Sequence, residues 1–118
     1  MEVQISEGDG YLSIKAVGRY NLANLYNLVD RIGVTRGDRL EGKVILDVTH
    51  VAGSIPILDM HELGEHCSRV WKPPFRIAII SPEGGLNKFF ENVVWNRGIQ
   101  IAVVPTQNAA LAWVNGQQ

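Results

Sequence analysis

Asp59, His61, Glu62, Glu65 and His66 crowd a single predicted helix with imidazoles and carboxylates, the groups that ligate metals or exchange protons. Their spacing does not favour that chemistry. At about 100° of rotation per residue, His61 and His66 point about 140° apart, whereas zinc-binding helices place two histidines four residues apart on one face. Glu65 stands where the second histidine of His-Glu-x-x-His would be, and Glu62 and His66 are spaced for a weak i, i+4 hydrogen bond. A solvated helix face is the preferred reading, and no metal or other cofactor is expected. Cys67 has no Cys-x-x-Cys partner and shares an apolar stripe with Leu63 and Val70, so it reads as core rather than nucleophile. Ser13, Ser54, Ser68 and Ser81 lack the Gly-x-Ser-x-Gly context of a nucleophile elbow. The loop Ser81-Pro82-Glu83-Gly84-Gly85 could offer backbone amides to an anion, but it has no P-loop lysine and reads as a plain turn. Lys88, Trp95, Asn96 and Arg97 lie on or close the following helix, as a helix end or part of a partner surface. Trp71 and Trp113 sit at the edges of apolar stripes, as core or rim. No catalytic residues emerge, and an enzyme is not expected.

The elements that carry these residues follow from periodicity. Val3 and Ile5, then Leu12, Ile14 and Ala16, alternate around the turn-forming Glu7-Gly8-Asp9-Gly10, which predicts a hairpin. Asn21 is a good N-cap for a helix carrying Leu22, Leu25, Leu28, Val29 and Ile32, with Gly33 as its C′ residue and Val34 to Gly42 as helix end and loop. Lys43 to Val48 is a short strand whose continuous hydrophobicity predicts burial on both faces. A loop over Thr49 to Ile55 leads to Pro56 in the first turn of the next helix, whose stripe is Met60, Leu63, Cys67, Val70 and Trp71. Phe75 to Ile80 and Ile99 to Val104 are further apolar strands. Between them Leu86, Phe89, Phe90, Val93 and Val94 mark a helix closed by Gly98, and a short helix with Ala110, Leu111, Trp113 and Val114 ends the chain. The order ββαβαβαβα predicts one α/β domain over residues 1–118, with a mixed, mostly parallel sheet of about five strands and four helices.

Composition limits the functions this domain can serve. Eleven basic against 12 acidic residues give a net charge of −1, which argues against nonspecific nucleic-acid binding. With 46% hydrophobic residues, the chain can form a core without staples. A single cysteine excludes an internal disulfide, and the start MEVQISEG has neither a basic run nor an apolar export segment. No membrane span is expected, and the cytoplasm is the expected location.

Taken in order, Val44-Ile45-Leu46-Asp47-Val48-Thr49, Leu63-Gly64-Glu65, Arg76-Ile77-Ala78-Ile79-Ile80, Phe89-Phe90-Glu91-Asn92, Arg97-Gly98 and Ala109-Ala110-Leu111-Ala112-Trp113-Val114 resemble the SpoIIAA-like branch of the STAS (sulfate transporter and anti-sigma factor antagonist) domains. The resemblance implies a bacterial cytoplasmic regulatory module that binds a kinase-like anti-sigma partner. It also implies a switch by phosphorylation of a serine or threonine at the start of the helix after the Asp47 strand. The aligned run here, Ile55-Pro56-Ile57-Leu58, has no hydroxyl, which leaves Ser54 as the candidate phospho-acceptor, with Thr49 at the strand end. A capping or turn role is the simpler reading of Ser54. The expected interaction surface is Ser54, Ile55, Pro56, Ile57, Leu58, His61 and Glu62, because an apolar run at a helix start needs cover. A homodimer is compatible with that surface. The alternative, taken from lipid-carrying domains of related fold, is a carrier or sensor of a small apolar ligand that uses the same run as a pocket mouth.

Overall fold

The structure is a computed structural model and describes residues 1–8, 10–37, 42–72, 75–81 and 85–116. Strands β1 (Glu2–Glu7) and β2 (Leu12–Arg19) form the expected antiparallel hairpin. They are followed by α1 (Leu22–Gly37), β3 (Lys43–Ala52), α2 (Ile57–Val70), β4 (Arg76–Ile80), α3 (Lys88–Trp95), β5 (Gln100–Val104) and α4 (Gln107–Val114). The sheet runs β1-β2-β3-β4-β5, with β2 to β5 mutually parallel. Each right-handed crossover advances by one strand, so α1, α2 and α3 cover one face. There Leu12, Ile14, Val44, Leu46, Ile77 and Ile79 pack against Leu25, Ile32, Leu63, Cys67 and Phe90. On the opposite face α4 sets Ala110 and Val114 against Ile45, Ala78 and Ile80. Burial on both sides explains the unbroken apolar runs of β3 and β4.

Several boundaries differ from the sequence reading. Gly33 is not a C′ residue: α1 continues to Gly37, and Gly33 faces α2, where a Cβ would lie 2.6 Å from Val70 Cγ1. The segment Val34 to Gly42, read as helix end and loop, is helix up to Gly37, and residues 38–41 lie outside the described set. Strand β3 continues through Thr49 to Ala52, segments read as loop, because a bulge between Lys15 and Val17 shifts its pairing with β2 and keeps Val51 against the core. Pro56 lies just outside α2 as its N-cap rather than within the first turn. Leu86 is buried ahead of α3, which starts at Lys88 behind the cap Asn87. Of the core and rim readings of Trp71, the core one holds. It is fully buried, and its indole N–H donates to the Val29 carbonyl at 3.1 Å.

Candidate functional site

In this parallel arrangement α1, α2 and α3 all begin at the carboxyl edge of the sheet, where open α/β sheets bind their ligands. The segment between β3 and α2 lies at that edge. Gly53 adopts φ +105°, a conformation that glycine tolerates, and a Cβ there would come within 3.3 Å of Tyr20 Cβ. Tyr20 in turn anchors its backbone N–H on Ala52 O at 2.7 Å. The sharp turn at Gly53 exposes Ser54 and Pro56 while Ile55 remains half-buried against the core. Helix α2 then opens with Ile57 and Leu58, which are 64% and 78% exposed.

The start of α2 has no side-chain cap, since Pro56 contributes none and Ser54 makes no hydrogen bond among the described residues. Asp59 occupies the third helical position, where its charge complements the free backbone N–H groups. It also accepts a hydrogen bond from the Tyr20 hydroxyl. Burial first, then this bond and the nearby charges of Asp59 and Glu62, push the Tyr20 phenol well above its ordinary 10.0. Beside this segment lies a shallow apolar depression of about 290 Å³, part of it open to solvent. Its lining includes Tyr20, Leu25, Val51, Gly53, Ile55 and Leu86.

The imidazole and carboxylate cluster is dispersed, as its spacing predicts. His61 Nδ1 lies 3.1 Å from Glu65, which also meets Arg97 at 3.5 Å and Arg69 at 3.9 Å. The expected Glu62–His66 pair does not form. His66 Nε2 instead meets Asp30 of α1 at 2.6 Å and its ring packs on Tyr26, while the Tyr26 hydroxyl reaches Glu62 at 3.5 Å. That cross-helix pairing joins residues 36 apart in sequence, beyond any local spacing rule. No group of three or more His, Cys, Asp or Glu among the described residues could hold a metal ion. Cys67 is buried, and desolvation pushes its thiol far above the ordinary 9.0, as for a core residue rather than a thiolate nucleophile. At the end of α3, Arg97 donates to the Val93 carbonyl at 3.1 Å, and Trp95 is 52% exposed. Trp113 is half-buried under the Arg76 guanidinium, 4.8 Å from the ring centre. Of the loop Ser81 to Gly85, read as a plain turn, residues 82–84 lie outside the described set.

No protein-family model and no curated protein matches the sequence. Among solved structures, the chain is similar to an anti-sigma factor antagonist from Mycobacterium paratuberculosis, at 14% identity and a TM-score of 0.65, over 97% of this chain and 93% of that one. It is also similar to an uncharacterized protein with a SpoIIAA-like fold from Shewanella loihica, at 19% identity and a TM-score of 0.53, over 96% of this chain and 92% of that one. The chain therefore has the SpoIIAA-like α/β fold, with the element order expected from the sequence. No helix among the described residues is long and apolar enough to cross a membrane.

Proposed function

We propose that this is a non-enzymatic regulatory domain that binds a protein partner through Ser54, Ile55, Pro56, Ile57 and Leu58, with His61 and Glu62 at the rim. The observation that carries the reading is the exposure of Ile57 and Leu58 on a helix start whose backbone is fixed by Pro56 and Asp59. Two large apolar side chains held in water beside an apolar depression are suited to be covered by another molecule. The anti-sigma factor antagonist of the same fold supports a protein as that molecule, and a kinase-like anti-sigma regulator is the class we propose for it. Ser54 is the proposed point of control. It is exposed and makes no hydrogen bond among the described residues, and phosphorylation would add about −1.5 to −2 charges beside the docking residues.

The test compares wild type with Leu58→Asp in retention of proteins from the native host. Each retained protein is then purified and titrated by calorimetry. A partner bound at least about tenfold more weakly by Leu58→Asp supports the reading, as expected for loss of a central apolar contact. Equal affinity overturns it. The carrier alternative is less well supported, because the depression is shallow and encloses room for only about one water, far short of a pocket that encloses a small ligand.

A further inference from the structure

The charges around the exposed apolar pair indicate what kind of protein segment fits there. Among the described residues, the other carboxylates of the three-helix layer each have a basic neighbour: Asp30 has His66, Glu65 has His61 and two arginines, and Glu91 has Lys88 at 2.7 Å. Asp59 and Glu62 have none. They instead meet neutral phenols, the Tyr20 hydroxyl bonded to Asp59 and the Tyr26 hydroxyl 3.5 Å from Glu62, which orient a carboxylate without cancelling its charge. Glu62 lies one turn beyond Leu58 on the same helix stripe, and Asp59 accepts from the hydroxyl of Tyr20, a residue that lines the depression. Nearby cations are directed elsewhere. His61 and Arg69 are engaged by Glu65, although the Arg69 charge is also felt at Tyr26, and His66 is engaged by Asp30. Lys88 reaches Glu91 and the Val103 carbonyl, and Arg19 alternates with Lys15 and Val17 onto the far face of the sheet.

From this juxtaposition we infer that the surface takes a basic, apolar protein segment. Its lysine or arginine sits between Asp59 and Glu62, and its neighbouring bulky apolar side chain covers Leu58 and enters the depression beside Tyr20. This rests on the proposed docking function and adds the sign of the partner's charge. Fixed carboxylates of one sign at an apolar rim favour oppositely charged partners and speed their encounter.

The probe is a random 12-residue peptide library displayed on phage and selected on the wild-type protein, with selected peptides synthesised and titrated against variants. The expected peptides pair Lys or Arg with Leu, Phe or Trp. Glu62→Gln weakens them by about 2- to 5-fold and the double variant Asp59→Asn with Glu62→Gln by up to about 10-fold, the range of one and of two exposed charge pairs. Raising salt from about 50 to about 500 mM weakens the wild type similarly and the double variant little. Glu62→Gln changes only a solvent-exposed group, so the result does not depend on whether Asp59→Asn folds. Peptides that are acidic or neutral, that bind the variants equally, or that fail to be enriched overturn the inference. If Leu58→Asp abolishes binding while the carboxylate variants do not, the docking function stands and only the charge preference falls. Self-association removed by Leu58→Asp, or a fatty acid retained in native mass spectrometry, would assign the surface to a second copy or a lipid and likewise overturn the inference.

Discussion

Gly64 of α2 and Val93 of α3 approach so closely that a Cβ at residue 64 would lie 2.4 Å from Val93 Cγ1. Helix α2 is thus seated on glycine contacts at both flanks, with Gly33 of α1 on the other side. Gly64→Ala gains up to about 1 kcal/mol of helix propensity. It must also displace a β-branched side chain with little rotamer freedom, and overpacking of this kind costs about 1–3 kcal/mol. The expected result in urea unfolding is a net loss of about 1–2 kcal/mol. A gain in stability would show that α2 and α3 can separate freely.

The helix caps predict a contrast between two polar residues. Asn87 Oδ1 accepts from the Phe89 and Phe90 backbone N–H groups at 3.0 and 3.3 Å, so Asn87→Ala should destabilise by about 1 kcal/mol. Ser54 caps nothing, so Ser54→Ala should change stability by less than about 0.5 kcal/mol. A large loss at Ser54 would assign it the capping role that its sequence position suggests.

Alkaline titration tests Tyr20. Its folded pKa is raised above the ordinary 10.0, so the folded state keeps its proton where the unfolded state has lost it. The stabilisation is complete below pH 10.0 and falls as pH rises above that value towards the folded pKa. Cys67 adds a loss of the same sign beginning near its ordinary 9.0. In a Cys67→Val background, Tyr20→Phe should flatten the fall in unfolding free energy between pH 10 and 11. An unchanged slope would mean that the Tyr20–Asp59 contact does not persist in solution.

Glu65 gathers His61, Arg69 and Arg97, but all four side chains are partly solvated. Glu65→Gln should therefore cost no more than about 1 kcal/mol at low salt and less at high salt. A loss that resists salt would indicate a structural role for this cluster beyond exposed ion pairing.

Much of the architecture is written in local patterns: the hairpin and the stripe Met60, Leu63, Cys67 follow from periods of two and 3.6, and the three apolar strands from unbroken hydrophobic runs. What escapes is nonlocal. Gly33 carries the signal of a helix end, and only the presence of Val70 across the interface reveals that it serves close packing. Thr49 to Ala52 are polar enough to read as loop, yet pairing with β2 past a bulge holds them in the sheet. At the candidate site, the exposed run Ile57-Leu58 is visible in the sequence, whereas the pairing of His66 with Asp30 depends on how α1 and α2 lie side by side. The lack of a basic partner at Asp59 and Glu62 emerges only once the other carboxylates are seen with theirs.

Helix α4 shields the sheet only over β3 to β5, and Lys15 and Val17 of β2 remain open to water on that side. The molecule is three layers thick at one end and two at the other. Backbone amides of β1 and β2 should therefore exchange with solvent deuterium through small local openings, while those of β4 wait for the whole chain to come apart. The thin flank can loosen without disturbing the edge where α1, α2 and α3 begin.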